Sequence, residues 1–70
     1  MNYAVIYEPT NTGYSAYVPD LPGCVAAGAT LEETKELMRG AIEMHLEGMR
    51  EDGDPIPKPS AEIGYIAVPA

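Results

Sequence analysis

A seven-residue corner, Val18-Pro19-Asp20-Leu21-Pro22-Gly23-Cys24, constrains this chain more than any other feature. Pro19 and Pro22 each lack a backbone donor and hold φ at roughly −65°, so a strand arriving at Val18 must end there and the chain must turn in a specified way as far as Gly23. Leu21 belongs to the same structural motif, and Asp20 reads as a turn-fixing residue. After Val25-Ala26-Ala27 comes Gly28-Ala29-Thr30-Leu31-Glu32-Glu33. There Thr30 stands as a helix N-cap, with Glu33 at the capping-box spacing at which each side chain reaches the other residue's backbone N–H. Sheet therefore precedes this region and helix follows it.

The residue patterns on either side agree. Tyr3 to Tyr7 alternates as a strand, with Tyr3, Val5 and Tyr7 on one face and Ala4 and Ile6 on the other. Glu8 to Gly13 has turn composition, and Tyr14 to Val18 forms the second arm of a hairpin. Val25 to Ala27 is a third strand, whose small side chains allow a helix to lie close. From Leu31 a helical stripe runs through Met38, Ile42 and Met49 with Ala41 and His45 beside it, while Glu36, Glu43, Glu47, Arg39 and Arg50 fall on the wetter side. Glu32 with Lys35, Glu36 with Arg39 and Glu47 with Arg50 stand at spacings that support a helix locally. Gly53 suits the left-handed position that ends a helix, and Pro55, Pro57 and Pro59 make the following linker stiff and extended. Ser60 to Val68 then contains a final strand, with Ile63 and Tyr65 on one face and Ile66 and Val68 on the other. The expected order is β-β-β-α-β, an α+β domain over residues 1–70 with one helix packed on one face of a largely antiparallel sheet.

Seventy residues bury only about 60% of the surface that the unfolded chain exposes, which leaves stability marginal. One cysteine forms no internal disulfide, and a structural metal would need ligands that this chain does not have. Oligomerisation is the remaining common support, so a homodimer or homotetramer is expected. Eleven acidic residues against four basic ones give a net charge of −7, which disfavours direct contact with nucleic-acid phosphates and favours a basic protein partner. No apolar run is long enough to span a bilayer, and the N-terminus lacks a signal-peptide pattern; with the unpaired cysteine this points to the cytoplasm.

The chemistry-bearing residues are sparse. His45 lies inside an apolar stripe and reads as a packing residue rather than a base or metal ligand. Cys24 lacks an adjacent base in the sequence and reads as a small buried thiol. Glu8 and Asp20 are the only carboxylates placed for a metal-dependent nuclease, and such sites demand several inward acids. No catalytic, cofactor-binding or metal-ligating residue is therefore expected. The acidic face of the helix reads by default as a solvated face; as a functional feature, its Glu36, Glu43 and Glu47, or else a sheet edge, are the expected partner-binding surface, the acids acting by electrostatic attraction.

Taken together, the hairpin with its Gly13-Tyr14-Ser15-Ala16 start, the Pro19-Asp20-Leu21-Pro22-Gly23-Cys24 corner, the Gly28 to Glu33 helix entry, Ala41-Ile42, and Gly53 ahead of Ile56-Pro57-Lys58-Pro59 resemble the HicB-like antitoxin domain. The resemblance covers nearly the whole chain. Ala29 and Thr34 depart from the family's usual Asp and Ala, and neither position is catalytic. The resemblance implies a degenerate ribonuclease-H-like fold without nuclease carboxylates. It also implies a non-enzymatic role: neutralising a small basic HicA-like toxin, which cleaves mRNA, by covering its active site. Longer members carry a DNA-binding domain, and the short form implied here would lack that activity. The alternative is a stand-alone oligomeric domain with a structural or small-ligand-binding role and no toxin partner.

Overall fold

The computed structural model describes residues 1–70. Its elements are β1 (Ile6–Thr10), β2 (Gly13–Tyr17), β3 (Val25–Gly28) and α1 (Leu31–Asp52). The three strands form one antiparallel sheet in the order β1-β2-β3. The α+β class and the single helix on one face are as the residues predict.

The first strand begins three residues later than the alternation of Tyr3 to Tyr7 implies, and it continues through Glu8, Pro9 and Thr10. Pairing decides this. With Thr10 opposite Gly13 the hairpin closes through Asn11 and Thr12 alone, and the Thr12 N–H donates to Thr10 Oγ1 at 3.3 Å. Pro9 is tolerated because β1 is an edge strand, where a missing donor breaks no inner ladder. Residues 3–5 keep their apolar face toward the core but have no strand beside them.

The core is small. Its buried apolar residues are Ala16, Val18, Leu21, Cys24 and Met38, and three of these five come from the corner. The corner ties itself together through backbone bonds: Val18 N–H to the Cys24 carbonyl at 3.2 Å, Leu21 N–H to the Val18 carbonyl at 3.1 Å, and Cys24 N–H to the Leu21 carbonyl at 3.0 Å. Leu21, only 1% exposed, is thereby carried under α1, where Met38 is equally buried. Ile42, Met49, Ala41 and Leu46 pack around this centre, whereas Leu37 and Met44 fall on the solvent side of the helix.

Thr30 caps α1 as its spacing predicts: Oγ1 accepts the Glu33 N–H at 3.1 Å. The reciprocal arm is absent, because the Glu33 side chain lies across Gly28 instead of reaching back to Thr30. Thr34, fully buried one turn on, donates its hydroxyl to the Thr30 carbonyl at 2.7 Å, which satisfies the one buried polar side chain of the core. At the far end Gly53 N–H bonds the Arg50 carbonyl and Asp54 N–H bonds the Met49 carbonyl, closing the helix.

The expected final strand within Ser60 to Val68 does not form in the isolated chain, so the order is β-β-β-α. Ser60 and Ala61 are held by a side chain rather than by a strand, and every residue from Glu62 onward is exposed. Without a neighbouring strand, a β-prone sequence has no ladder to join.

At Gly28 the end of β3 lies close against the start of α1. A Cβ there would stand 2.7 Å from Thr34 Oγ1 and 3.1 Å from the Thr34 amide nitrogen. Neither atom can withdraw without breaking the helix start. Gly28→Ala should therefore cost about 1–3 kcal/mol, the usual range for an overpacked site, measured as a fall in the urea midpoint with an unchanged slope.

Candidate partner-binding surface

The back of α1 is an acidic ridge. Glu36, Glu43 and Glu47 are all exposed, and at about 100° per residue they fall within about 40° of one another on the side opposite Met38. Lys35 pairs with Glu32 at 3.6 Å and Arg39 with Glu36 at 3.8 Å, both in solvent, where such pairs contribute little. The expected pairing of Glu47 with Arg50 does not form. Glu43 and Glu47 therefore present unneutralised charge along one line.

The corner carries a second feature, which sequence reasoning missed. Asp20 does more than sit in a turn. Its carboxylate accepts three hydrogen bonds from forty residues away: Ser60 N–H at 2.9 Å, Ser60 Oγ–H at 2.7 Å and Ala61 N–H at 3.1 Å. Nearby, the Tyr3 hydroxyl donates to the Pro57 carbonyl. The proline linker is thus clamped at both ends of a short span, and the chain after α1 is steered across the sheet toward β1. The Asp20 carboxyl is held below its ordinary value, first by the Ser60 amide, then by the Ala61 amide and the Ser60 hydroxyl. Only the sequence separation hid this contact; a conformationally fixed aspartate between two prolines was the available signal.

Glu8 is an exposed residue of β1, and the oxygens of Asp20 are already taken by these donors. No group of three or more His, Cys, Asp or Glu side chains stands close enough to hold a metal ion. Cys24 and His45, distant in sequence, line one shallow hollow together with Val25 and Met44. They share no hydrogen bond. Burial pushes the Cys24 thiol up from its ordinary value, which keeps it protonated and opposes use as a nucleophile. The uncovered face of the sheet carries the cross-strand row Ile6, Tyr17 and Val25, the last two well exposed.

Comparison with known proteins shows which family this fold belongs to. Residues 3–69 match the HicB-like antitoxins of bacterial toxin-antitoxin systems. The chain belongs to that family. A 14.9 kDa protein of Haemophilus phage HP1 is 44% identical over 69 residues, covering 99% of this chain and 52% of its own length. A UPF0150 protein of Synechocystis is 40% identical over 67 residues, 94% of this chain and 92% of that protein. Antitoxin HicB 2 of Photorhabdus laumondii is 32% identical and is matched over 51% of its length. This HicB-like chain thus spans about half the length of the phage and Photorhabdus relatives and most of the Synechocystis one. Among solved structures, a chain of the HicA3 and HicB3 toxin-antitoxin complex superposes with a TM-score of 0.74 at 30% identity, covering 86% of this chain and 70% of that one. HicB-like antitoxins are binding proteins rather than enzymes. No helix of the chain is long and apolar enough to cross a membrane.

The Asp20 clamp has a pH signature. A carboxyl whose value is lowered by folding stabilises the fold above its unfolded value and loses that contribution as pH falls through the folded one. The Ser60 and Ala61 amide resonances should shift together in an NMR titration with a midpoint below the ordinary 3.8 of aspartate. In Asp20→Asn that transition should vanish.

Proposed function

We propose that this HicB-like chain neutralises a small, basic, HicA-like mRNA-cleaving toxin by masking its active site. The observation that carries the reading is the likeness to a chain of the HicA3 and HicB3 complex across 86% of this sequence. The acidic ridge supports it. Glu36, weakly paired with Arg39, and the unpaired Glu43 and Glu47 supply a negative line on a chain of net charge −7, suited to attract a basic protein and unsuited to hold nucleic-acid phosphate. Neutralisation by burial needs no bond making or breaking from the antitoxin. The site of action is the cytoplasm, where the toxin meets mRNA. The working unit is a homo-oligomer, most simply a dimer, because only six of 70 residues are buried in the lone chain.

Co-expression with the small basic protein encoded beside this chain should rescue growth and yield a stoichiometric complex on purification. Absence of both would leave a stand-alone oligomeric domain as the better account. Within a complex, the triple reversal Glu36→Lys, Glu43→Lys and Glu47→Lys should slow association at low salt by about tenfold or more and have less effect at high salt. Unchanged association rates would remove the ridge from the docking path.

A further inference from the structure

The chain holds two strand-like segments that have no strand to pair with. Residues 3–5 extend β1 backward, beyond the point where β2 ends opposite Ile6. Residues 63–68, Ile-Gly-Tyr-Ile-Ala-Val, alternate as a strand and are laid out in solvent, with Tyr65 94% and Ile66 89% exposed. The last hydrogen bond along the chain is made by the Ala61 N–H. Beyond it the backbone donors and acceptors of a six-residue, apolar, β-prone stretch are unpaired.

The outer edge of β1 is equally open, since β1 pairs only with β2. Beside it is an open hollow of about 420 Å³ walled by Val5 just ahead of β1, Ile6 and Tyr7 within it, Leu31 from the helix, and Ile63 and Tyr65 at the rim. The tail touches the rim of this hollow without packing into it, and the molecule as a whole is less compact than its length allows. The longest extent is 48 Å, whereas the 22-residue helix accounts for about 33 Å. The radius of gyration is 13.8 Å, against about 11 Å for a compact chain of this length.

We propose that residues 63–68 of each chain add as a strand to the β1 edge of a second copy, in a reciprocal two-fold exchange that also fills the hollow beside β1. This rests on the homo-oligomer reading above and not on the toxin. The occupant is a second copy for three reasons. One chain supplies both the unpaired strand and the unpaired edge, so a closed pair satisfies both at once. Residues 63–70 carry no charged side chain in an otherwise strongly acidic protein, so two like-charged copies repel least there. A basic partner, by contrast, is drawn to the helix ridge. The Asp20 clamp on Ser60 and Ala61 fixes where the tail departs, which limits the entropy lost when it docks.

The test is the oligomeric state of the full chain without any toxin, read by sedimentation velocity, together with NOEs between protomers in a mixture of isotope-labelled and unlabelled chains. Wild type should run at twice its 7.5 kDa mass, with intermolecular NOEs joining residues 63–68 to residues 3–8. Ile66→Pro removes a donor from a fully exposed site and should raise the dimer dissociation constant by about a hundredfold, the loss of two or three net strand bonds. Ile66→Lys, which keeps the donor and should leave helix content unchanged, should weaken the dimer by burying a charge. A wild type that stays monomeric at all concentrations would overturn the homo-oligomer reading with it. A dimer that survives both substitutions, or whose NOEs arise from β3 or α1, would overturn the strand exchange alone. NOEs between the tail and β1 found only within one chain would do the same. Failure of toxin rescue would leave every one of these readings intact.

Discussion

The burial of Leu21 and Met38 in one core cluster is the constraint on which the rest of the molecule depends. It joins the corner between two prolines to the centre of the helix, and these two residues are among the three most deeply buried of the chain. Val18 and Cys24 flank Leu21 and are bonded to each other through the backbone, so the corner enters the core as one preformed unit. A protein of this size has few apolar side chains to bury, and preorganising three of them in a turn reduces the entropy that their burial must offset.

The same corner organises the surface. Asp20 lies one residue before Leu21 and faces the opposite way, reaching the backbone of Ser60 and Ala61 while its neighbour fills the core. The direction in which the chain leaves the domain is therefore set by the element that holds the domain together. The helix in turn divides its circumference. One side carries Met38, Ile42 and Met49 onto the sheet, and the other holds the acidic ridge in water. In the proposed function, attraction of a basic partner and burial of the core would thus use separate faces of one element, and changing the charge of one need not disturb the packing of the other.

The order of the first four elements was legible because each has a local cause. Prolines end β2, Thr30 starts α1 through a bond to the Glu33 amide, and Gly53 ends it. The Met38, Ile42, Met49 stripe was legible from helical periodicity. The start of β1 was not, because strand limits depend on the partner: a two-residue loop moved the pairing three residues along and drew Pro9 into the strand. The final strand failed for the same reason, since alternation in residues 63–68 records a preference for pairing without saying what supplies the other edge.

By itself, then, the sequence determined the turn, the helix with its caps, the apolar stripe and the net charge, all of which arise from neighbours a few residues apart or from composition, while the antitoxin family was legible only as a resemblance of ordered motifs along the whole chain. Tertiary structure alone decided the register of the hairpin, the long-range grip of Asp20 on Ser60 and Ala61, the close approach of Gly28 to Thr34, and the meeting of Cys24 and His45 in one hollow. The grip of Asp20 and the meeting of Cys24 with His45 join residues far apart along the chain, and even the nearer contacts, Gly28 with Thr34 and the hairpin pairs, depend on how whole elements pack. No local propensity encodes which distant group will arrive, because that depends on how the whole chain closes its core.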